Sequence, residues 1–199
     1  MGKKCIGIDV GGTTVKVGMF ELDGTLVKKW EVPTRKEENG KYILPDVAAS
    51  IRKVLNEQNI SLNEVAGAGL GIPGPVLPNG FVEVCVNLGW REMNPQEILS
   101  GLLDGMTVKT GNDANVAALG EMWQGGGKGY HDIVMVTLGT GVGGGVIIDE
   151  KIIPADMAWV ERLDICVSAR VRRNSATVRD MAVWSRSHPR PALREKRDE

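Results

Sequence analysis

Two glycine-rich loops, each between two strand-like runs, constrain the fold of this chain more than any other feature. The first loop follows the apolar run Lys4–Ile8 and includes Gly11–Thr14, and the second loop spans Thr137–Gly145. Because glycine places no side chain in a turn, the backbone N–H groups of such a loop converge on one concavity. One such cradle suits phosphate oxygens, and two suit the two ends of a polyphosphate chain.

Composition excludes several classes of protein. The 199 residues are sufficient for one or two domains with a substantial core, and a net charge of −1 argues against nucleic acid as the main partner. No apolar run reaches the roughly 18 residues of a membrane span, and no signal peptide precedes the first strand, so we expect a cytoplasmic protein. Cys5, Cys85 and Cys166 lack the spacing of a metal site and are interpreted as reduced thiols.

The apolar periodicity predicts an alternation of strands and helices, followed by a second sheet that begins with the second glycine loop. This order predicts an α/β protein with two related lobes. The predicted strands are 4–9, 14–22, 25–32, 65–72, 81–86, 106–110 and 132–138, and the predicted helices are 46–58, 95–103 and 114–123.

Five motifs together resemble the ROK family of sugar kinases and repressors, over roughly the first 154 residues. They are Asp9–Thr14, Gly71–Pro75, Asn87–Trp90, Gly111–Asn115 and the Gly139–Gly145 hairpin. The resemblance is greatest to the glucokinases, and it implies an actin-like, hexokinase-like ATPase fold built from ribonuclease H-like lobes. We expect the first lobe, residues 1–118, to be complete. The second lobe, residues 119–154, is expected to be only begun, and residues 155–199 to form an aberrant tail.

The resemblance implies ATP-dependent phosphorylation of glucose to glucose 6-phosphate, a glycolytic reaction that uses Mg²⁺. The implied partners are the sugar and ATP, with no nucleic acid or membrane, and relatives often form homodimers. Other substrates remain open, namely another hexose or N-acetylmannosamine, and so does a catalytically dead sugar-binding fragment.

Asp113 is the candidate catalytic residue. It lies between a predicted strand and a predicted helix, where functional groups of α/β sheets cluster, although an N-cap role would place an aspartate there equally well. The resemblance implies that Asp113 is the general base that accepts the proton of the sugar hydroxyl. It further implies that Asn112 and Asn87 bind the sugar. Gly71 would allow the ring to approach the backbone closely, although a simple tight turn explains this glycine nearly as well.

The phosphate-binding candidates come from both loops. Asp9, at the end of a strand, could hold Mg²⁺ through water or could cap the turn. Lys16 could face the phosphates or only solvent. The remaining candidates for contact with ATP are Gly11, Gly12, Thr13, Thr14, Gly139, Thr140, Gly141 and Gly143.

Two alternative interpretations fail on sequence context. The glycines of the second loop match the G-x-G-x-x-G pattern of dinucleotide sites, but that pattern requires a following helix, whereas Val146–Ile148 is β-branched. The repressor branch of the family carries a helix-turn-helix module ahead of the first loop, and only six residues precede Gly7. We therefore expect no DNA-binding module.

The last 45 residues differ in composition from the rest. All 26 glycines of the chain lie before residue 155. Reading the inferred codons of Met157–Ile165 in a shifted frame permits the sequence Gly-Met-Gly-Gly-Glu-Ile-Gly-His. The glycines read across Met157–Ala158 and across Trp159–Val160 are forced, and the other residues are permitted. We therefore predict a frameshift near Pro154–Met157, because this segment resembles the one that contacts sugar and contributes to a structural zinc site in the family. The zinc ligands would then be missing, and little kinase activity and poor solubility are expected.

Overall fold

The computed structural model describes residues 3–138, 142–153 and 182–185 of the chain. The chain divides into two compact units, residues 1–117 and 118–199. The sequence predicts the boundary between the first and second lobes after residue 118. Helix α4, Asp113–Gln124, begins in the first unit and continues into the second.

A five-stranded mixed sheet forms the centre of the first unit, in the order β3-β2-β1-β4-β7. The three strands β1, β2 and β3 are antiparallel to one another, whereas β1, β4 and β7 run parallel. The carboxyl ends of β1, β4 and β7 therefore lie at one edge of the sheet, which we call the carboxyl edge. The strands are β1 Lys4–Val10, β2 Thr14–Glu21, β3 Leu26–Pro33, β4 Val65–Ile72 and β7 Val108–Asn112.

One face of this sheet is apolar and forms the core of the unit. Side chains alternate across the sheet, so Ile6, Ile8 and Val10 of β1 are buried together. Helix α2, Ile43–Glu57, adds a stripe of buried residues that includes Ile51, which is fully buried. Burial of each such side chain stabilises the fold by about 1.5–3 kcal/mol. Helix α3, Pro95–Leu102, adds Leu99 to the same core.

A short hairpin lies apart from the main sheet. Strands β5, Val82–Cys85, and β6, Trp90–Met93, pair antiparallel and form a two-stranded sheet. Cys85 and Trp90 are buried in the core of the first unit. The turn between the two strands, residues 86–89, carries Asn87.

The strands and helices agree with the sequence predictions except at several boundaries. Helix α2 begins at Ile43, three residues before the predicted start. Pro45 is tolerated in the first helical turn, because the N–H groups of that turn have no partner within the helix and the N–H that proline lacks is not needed. Strand β7 begins two residues later than predicted, because the Met106 N–H donates to the Leu103 carbonyl in a turn. Strand β6, the short helix α1 (Glu37–Gly40) and the 3₁₀ helix Leu62–Glu64 were not predicted.

The described part of the second unit is a four-stranded sheet in the order β10-β9-β8-β11. Ala118 of α4 packs with Ile133, Met135 and Ile147 as a small core. Strand β11 comes from the segment for which the sequence predicts no strand, and it pairs antiparallel with β8. The strands are β8 Ile133–Leu138, β9 Val142–Ile148, β10 Lys151–Ile152 and β11 Ala182–Ser185. No helix in the described residues is long and apolar enough to cross a membrane.

Candidate active site

The first glycine loop, residues 11–13, joins β1 to β2 at the carboxyl edge. The Gly11 N–H donates to the Thr14 carbonyl at 3.2 Å and closes the turn. A Cβ on Gly11 would lie only 2.7 Å from the Thr14 carbonyl oxygen, so no other residue fits without a shift of the backbone. Glycine at this position is therefore a steric requirement of the turn.

Thr34, directly after β3, holds this loop from the other side. Its N–H donates to the Thr13 carbonyl at 2.9 Å, and its hydroxyl donates to the Gly11 carbonyl at 2.8 Å. The Gly11 and Thr13 carbonyls thus accept hydrogen bonds, whereas the N–H groups of Gly12 and Thr13 donate to no acceptor among the described residues. Two free N–H groups in one turn fit an anion such as phosphate. Thr34 was not predicted from the sequence, because the contacts of Thr34 join the end of β3 to a loop about 20 residues earlier in the chain.

Asp9 lies on the sheet face opposite the core, in a row of directly paired residues. Across the strands, Asp9 pairs with Lys16 on one side and with Gly71 on the other. The row continues to Glu31 of β3, which pairs with Lys16, and to Gly111 of β7, which pairs with Gly71. Asp9 and Lys16 are both exposed. A single exposed carboxylate beside a phosphate cradle fits Mg²⁺, which binds few protein ligands besides water and phosphate oxygens.

Asp113 is the first residue of α4 and follows β7 directly. The N-cap hydrogen bond of this helix is made by Asn112, whose Oδ1 accepts the Asn115 N–H at 3.2 Å. Asp113 Oδ1 accepts the adjacent Ala114 N–H at 2.8 Å. The alternative role considered for Asp113, an N-cap, thus belongs to its neighbour.

Burial raises the pKa of the half-buried Asp113 carboxyl above its ordinary value. The negative charge of Asp9 raises this pKa further, while hydrogen bonds from Ala114 and Asn112 oppose the rise. The carboxylates of Asp9 in β1 and Asp113 at the start of α4 therefore lie close enough to interact. A carboxylate that is half-buried and holds its proton more tightly than usual has the property required of a general base.

Gly71 and Asn112 connect the parts of this edge. A Cβ on Gly71 would lie 3.6 Å from Asp113 Cα, so this glycine borders the start of α4. The Asn112 Nδ2 donates to the Gly74 carbonyl at 3.2 Å and joins the end of β7 to the loop after β4.

Asn87 lies at the exposed tip of the β5–β6 hairpin. Two residues earlier, the Cys85 thiol donates to the Pro73 carbonyl at 3.1 Å. The pKa of this thiol is raised, first by burial and also by the negative charge of Asp113. The hairpin therefore lies against the same edge as Asp113. Gly71, Asn112 and Asp113 lie at the carboxyl edge, and the hairpin that carries Asn87 contacts the loop after β4 through Cys85.

A left-handed turn in α1 supports the Asn87 hairpin. The residues Glu38, Asn39 and Gly40 all have positive φ, and a Cβ on Gly40 would lie 2.4 Å from the Leu88 carbonyl oxygen. The Trp90 Nε1–H donates to the Gly40 carbonyl at 3.1 Å in a buried position. This contact between segments 50 residues apart was not identified from the sequence.

The candidates of the second glycine loop are placed only in part. Gly139, Thr140 and Gly141 lie outside the described residues, and Gly143 lies in β9 opposite Thr137. Across the described ranges, no group of three or more His, Cys, Asp or Glu residues could hold a metal ion. The predicted loss of the zinc ligands concerns the tail after residue 155, of which only 182–185 are described.

The sequence profile of the ROK family matches residues 5–155. A glucokinase from Halalkalibacterium halodurans is 41% identical over 149 residues, covering 74% of this chain and 45% of that protein. The crystal structure of a ROK family glucokinase from Streptomyces griseus, in complex with glucose and AMPPNP, superimposes with a TM-score of 0.65 at 32% identity. That match covers 75% of this chain and 46% of that one. The predicted actin-like, hexokinase-like α/β fold is thereby confirmed.

The chain spans about half the length of the relatives it matches. A polyphosphate glucokinase from Mycobacterium leprae is 31% identical over 185 residues, covering 90% of this chain and 53% of that protein. This match extends past residue 155, where the ROK profile ends. The proposed frameshift and the boundaries of the tail therefore stay predictions.

Proposed function

The chain belongs to the ROK family, and we propose that its carboxyl edge serves the ATP-dependent phosphorylation of a hexose, with the 6-hydroxyl of glucose as the acceptor. The observation that carries this proposal is the convergence of two kinds of group on one sheet edge. Asp113 provides a half-buried carboxylate with a raised pKa, and the first glycine loop provides two free N–H groups. Phosphoryl transfer to an alcohol requires a base at the hydroxyl and donors at the phosphates.

Asp113 acts on the sugar. Its carboxylate accepts the proton of the 6-hydroxyl as the oxygen attacks the γ-phosphorus, and the bond between that phosphorus and the leaving oxygen breaks. Asn112 and Asn87 donate to or accept from other sugar hydroxyls, and Gly71 leaves room for the ring. Asn112 also orients the base, because it caps α4 and hydrogen-bonds Gly74.

The first loop acts on the phosphate chain. The N–H groups of Gly12 and Thr13 bind phosphate oxygens, with Gly11 shaping the turn and the Thr13 and Thr14 hydroxyls available as further donors. Asp9 would hold Mg²⁺ through water, and the ion would supply charge neutralisation on the phosphates. Lys16 lies one strand from Asp9 on the same face and adds positive charge there. Gly139, Thr140, Gly141 and Gly143 are assigned the same role in the second loop.

A coupled assay with ATP, Mg²⁺ and glucose tests the proposal. Asp113→Asn removes the base while keeping a similar shape, so we expect any turnover to fall by about 10²–10⁴-fold with glucose binding retained. Activity of the unmodified chain should rise with pH through the raised pKa of Asp113, because only the ionised carboxylate accepts a proton. Turnover that Asp113→Asn leaves unchanged would rule out this residue as the base.

A catalytically inactive sugar-binding protein is the second candidate. It is favoured by the end of the ROK profile at residue 155, after which the composition changes. If this candidate is correct, the chain shows little or no turnover, and calorimetric binding of glucose without turnover identifies this case. A panel of glucose, other hexoses and N-acetylmannosamine resolves the substrate. The nucleotide sequence of the gene tests the frameshift, since the shifted frame must encode Gly-Gly-Glu-Ile-Gly-His.

A further inference from the structure

Lys36 extends its side chain to the first glycine loop. Its Nζ lies 3.4 Å, and its Cε 4.0 Å, from the position that a Cβ on Gly12 would occupy. The side chain is exposed, and the ammonium makes no ion pair or hydrogen bond with any described residue. A free positive charge thus lies beside the two free N–H groups of the loop.

The backbone around Lys36 is fixed relative to the loop. Two residues earlier, Thr34 makes both of its hydrogen bonds to loop carbonyls. Four residues later, Gly40 accepts a hydrogen bond from the buried Trp90 indole. Because hydrogen bonds fix both ends of this short segment, only the side chain of Lys36 has to become ordered when a ligand binds in the loop.

The charges near the loop distinguish Lys36 from the other lysine candidate. Lys16 lies between Asp9 and Glu31 in the strand register, so carboxylates flank its positive charge on both sides. Among the acidic neighbours of Lys36, Glu38 is held by Lys41 and Tyr42. Glu37, also next to Lys36, acts electrostatically on Arg35. The charge of Lys36 therefore remains available to an anion.

We propose that Lys36 is a phosphate-binding residue whose ammonium contacts the phosphoanhydride chain bound at Gly12 and Thr13. The ligand class is a linear phosphoanhydride, carried either by a nucleoside triphosphate or by inorganic polyphosphate. Such a chain brings several negative charges close to the Asp9 carboxylate. The loop N–H groups offer only partial positive charges, and a full charge at Lys36 offsets this repulsion. This inference rests on the phosphate site of the proposed function.

Calorimetric titration of the full chain with inorganic tripolyphosphate and with AMPPNP, each with Mg²⁺, tests the inference. We expect Lys36→Gln to weaken binding about three- to tenfold, the range of one charge-assisted contact at an exposed site. Lys36→Arg should retain most of the affinity, because the positive charge remains. The matched control is Lys29→Gln, which removes an exposed and unpaired lysine from the interior of β3. Thermal unfolding should be the same for all three variants.

The outcomes separate the two proposals. If the unmodified chain binds neither ligand, the phosphate site of the proposed function fails, and the role of Lys36 fails with it. If the chain binds but Lys36→Gln and Lys29→Gln have equal effects, only the inference about Lys36 is overturned. Binding of AMPPNP alone, weakened by Lys36→Gln, supports the inference with a nucleotide as the source of the phosphates. If the chain binds both ligands and Lys36→Gln weakens both to the same extent, the inference about Lys36 is supported, and either a nucleotide or inorganic polyphosphate can supply the phosphates.

Discussion

The two edges of the main sheet differ in how their polar groups are satisfied. At the amino edge, where β4 and β7 begin, an open cavity of about 650 Å³ is lined by residues that include Arg52, Ser61 and Asp104. Arg52 donates to Asp104 and to the Leu102 carbonyl, and Ser61 forms a reciprocal capping box with Glu64. The carboxyl edge instead has two N–H groups that donate to no acceptor in the described part of the chain, an exposed carboxylate and a half-buried one.

This contrast favours the carboxyl edge, rather than the open cavity at the amino edge, as the ligand site. Polar groups that already have partners stabilise the fold and gain little from a ligand, whereas groups without partners gain hydrogen bonds when a ligand binds. Ligands of open α/β sheets bind outside the carboxyl ends of the strands, and we expect the same of this chain. The two edges should therefore respond differently to substitution.

The largest effect is expected from Gly11→Ala at the carboxyl edge. The new Cβ would lie 2.7 Å from the Thr14 carbonyl, so the turn must deform, at a cost of about 1–3 kcal/mol in the free energy of unfolding. Binding of tripolyphosphate should fall at least about tenfold. Urea denaturation and calorimetry measure the two effects.

The matched control for this substitution is Gly69→Ala in β4. A Cβ at Gly69 would meet no atom within 4 Å, so stability and binding should both stay close to those of the unmodified chain. If Gly11→Ala and Gly69→Ala bind tripolyphosphate equally well, the loop is not the phosphate site.

The next effect is expected from Trp90→Phe, which leaves the Gly40 carbonyl without its indole donor. Loss of this buried hydrogen bond should cost about 1–3 kcal/mol of stability. Because the bond holds the hairpin that carries Asn87, glucose binding should weaken more than tripolyphosphate binding. Trp30→Phe is the control, since it removes an indole donor to Ser50 away from the hairpin. An equal loss of glucose affinity in both variants would contradict the role of the turn.

A smaller effect, opposite in sign, is expected from Asp113→Asn on stability. The folded-state pKa of this carboxyl is raised, so its ionised form is less favourable in the folded state than in the unfolded state. The unmodified chain loses stability as pH rises from below the ordinary aspartate pKa through the raised value. Asp113→Asn should therefore raise the Tm at pH 7.

The pH series provides the check on this prediction. Below the ordinary pKa of 3.8 the carboxyl is protonated in both states, and the difference in Tm between the two chains should vanish. Thermal unfolding followed by circular dichroism measures it. A Tm at pH 7 that falls on substitution would mean that the ionised carboxylate stabilises the fold.

The smallest effect is expected at the amino edge. Arg52→Met breaks an exposed ion pair with Asp104, which should change the free energy of unfolding by less than about 1 kcal/mol. Glucose and tripolyphosphate binding should not change. A loss of ligand affinity here would show that the cavity at the amino edge, and not the carboxyl edge, is the binding region.

The sequence alone predicted the local elements well, because their signals lie within a few residues. Alternating apolar residues marked β1 and β2, and glycines marked the turn between them. The sequence-based predictions were wrong where a contact between residues far apart in the sequence decides the conformation. Strand β6 is only four residues long and is held through Trp90, whose partner lies in α1. No periodicity reveals such a pairing.

The candidate site divides in the same way. Residue type and position indicated Asp9 and Asp113, since the ends of parallel strands collect functional groups in any such sheet. Asn112 was indicated by the resemblance to the ROK family. Only the tertiary structure decided that Asn112 caps the helix while Asp113 remains half-buried near Asp9. Only the structure brought Thr34 and Lys36 to the first glycine loop. The sequence determines which groups are available, and packing across the sheet decides which of them are left without partners.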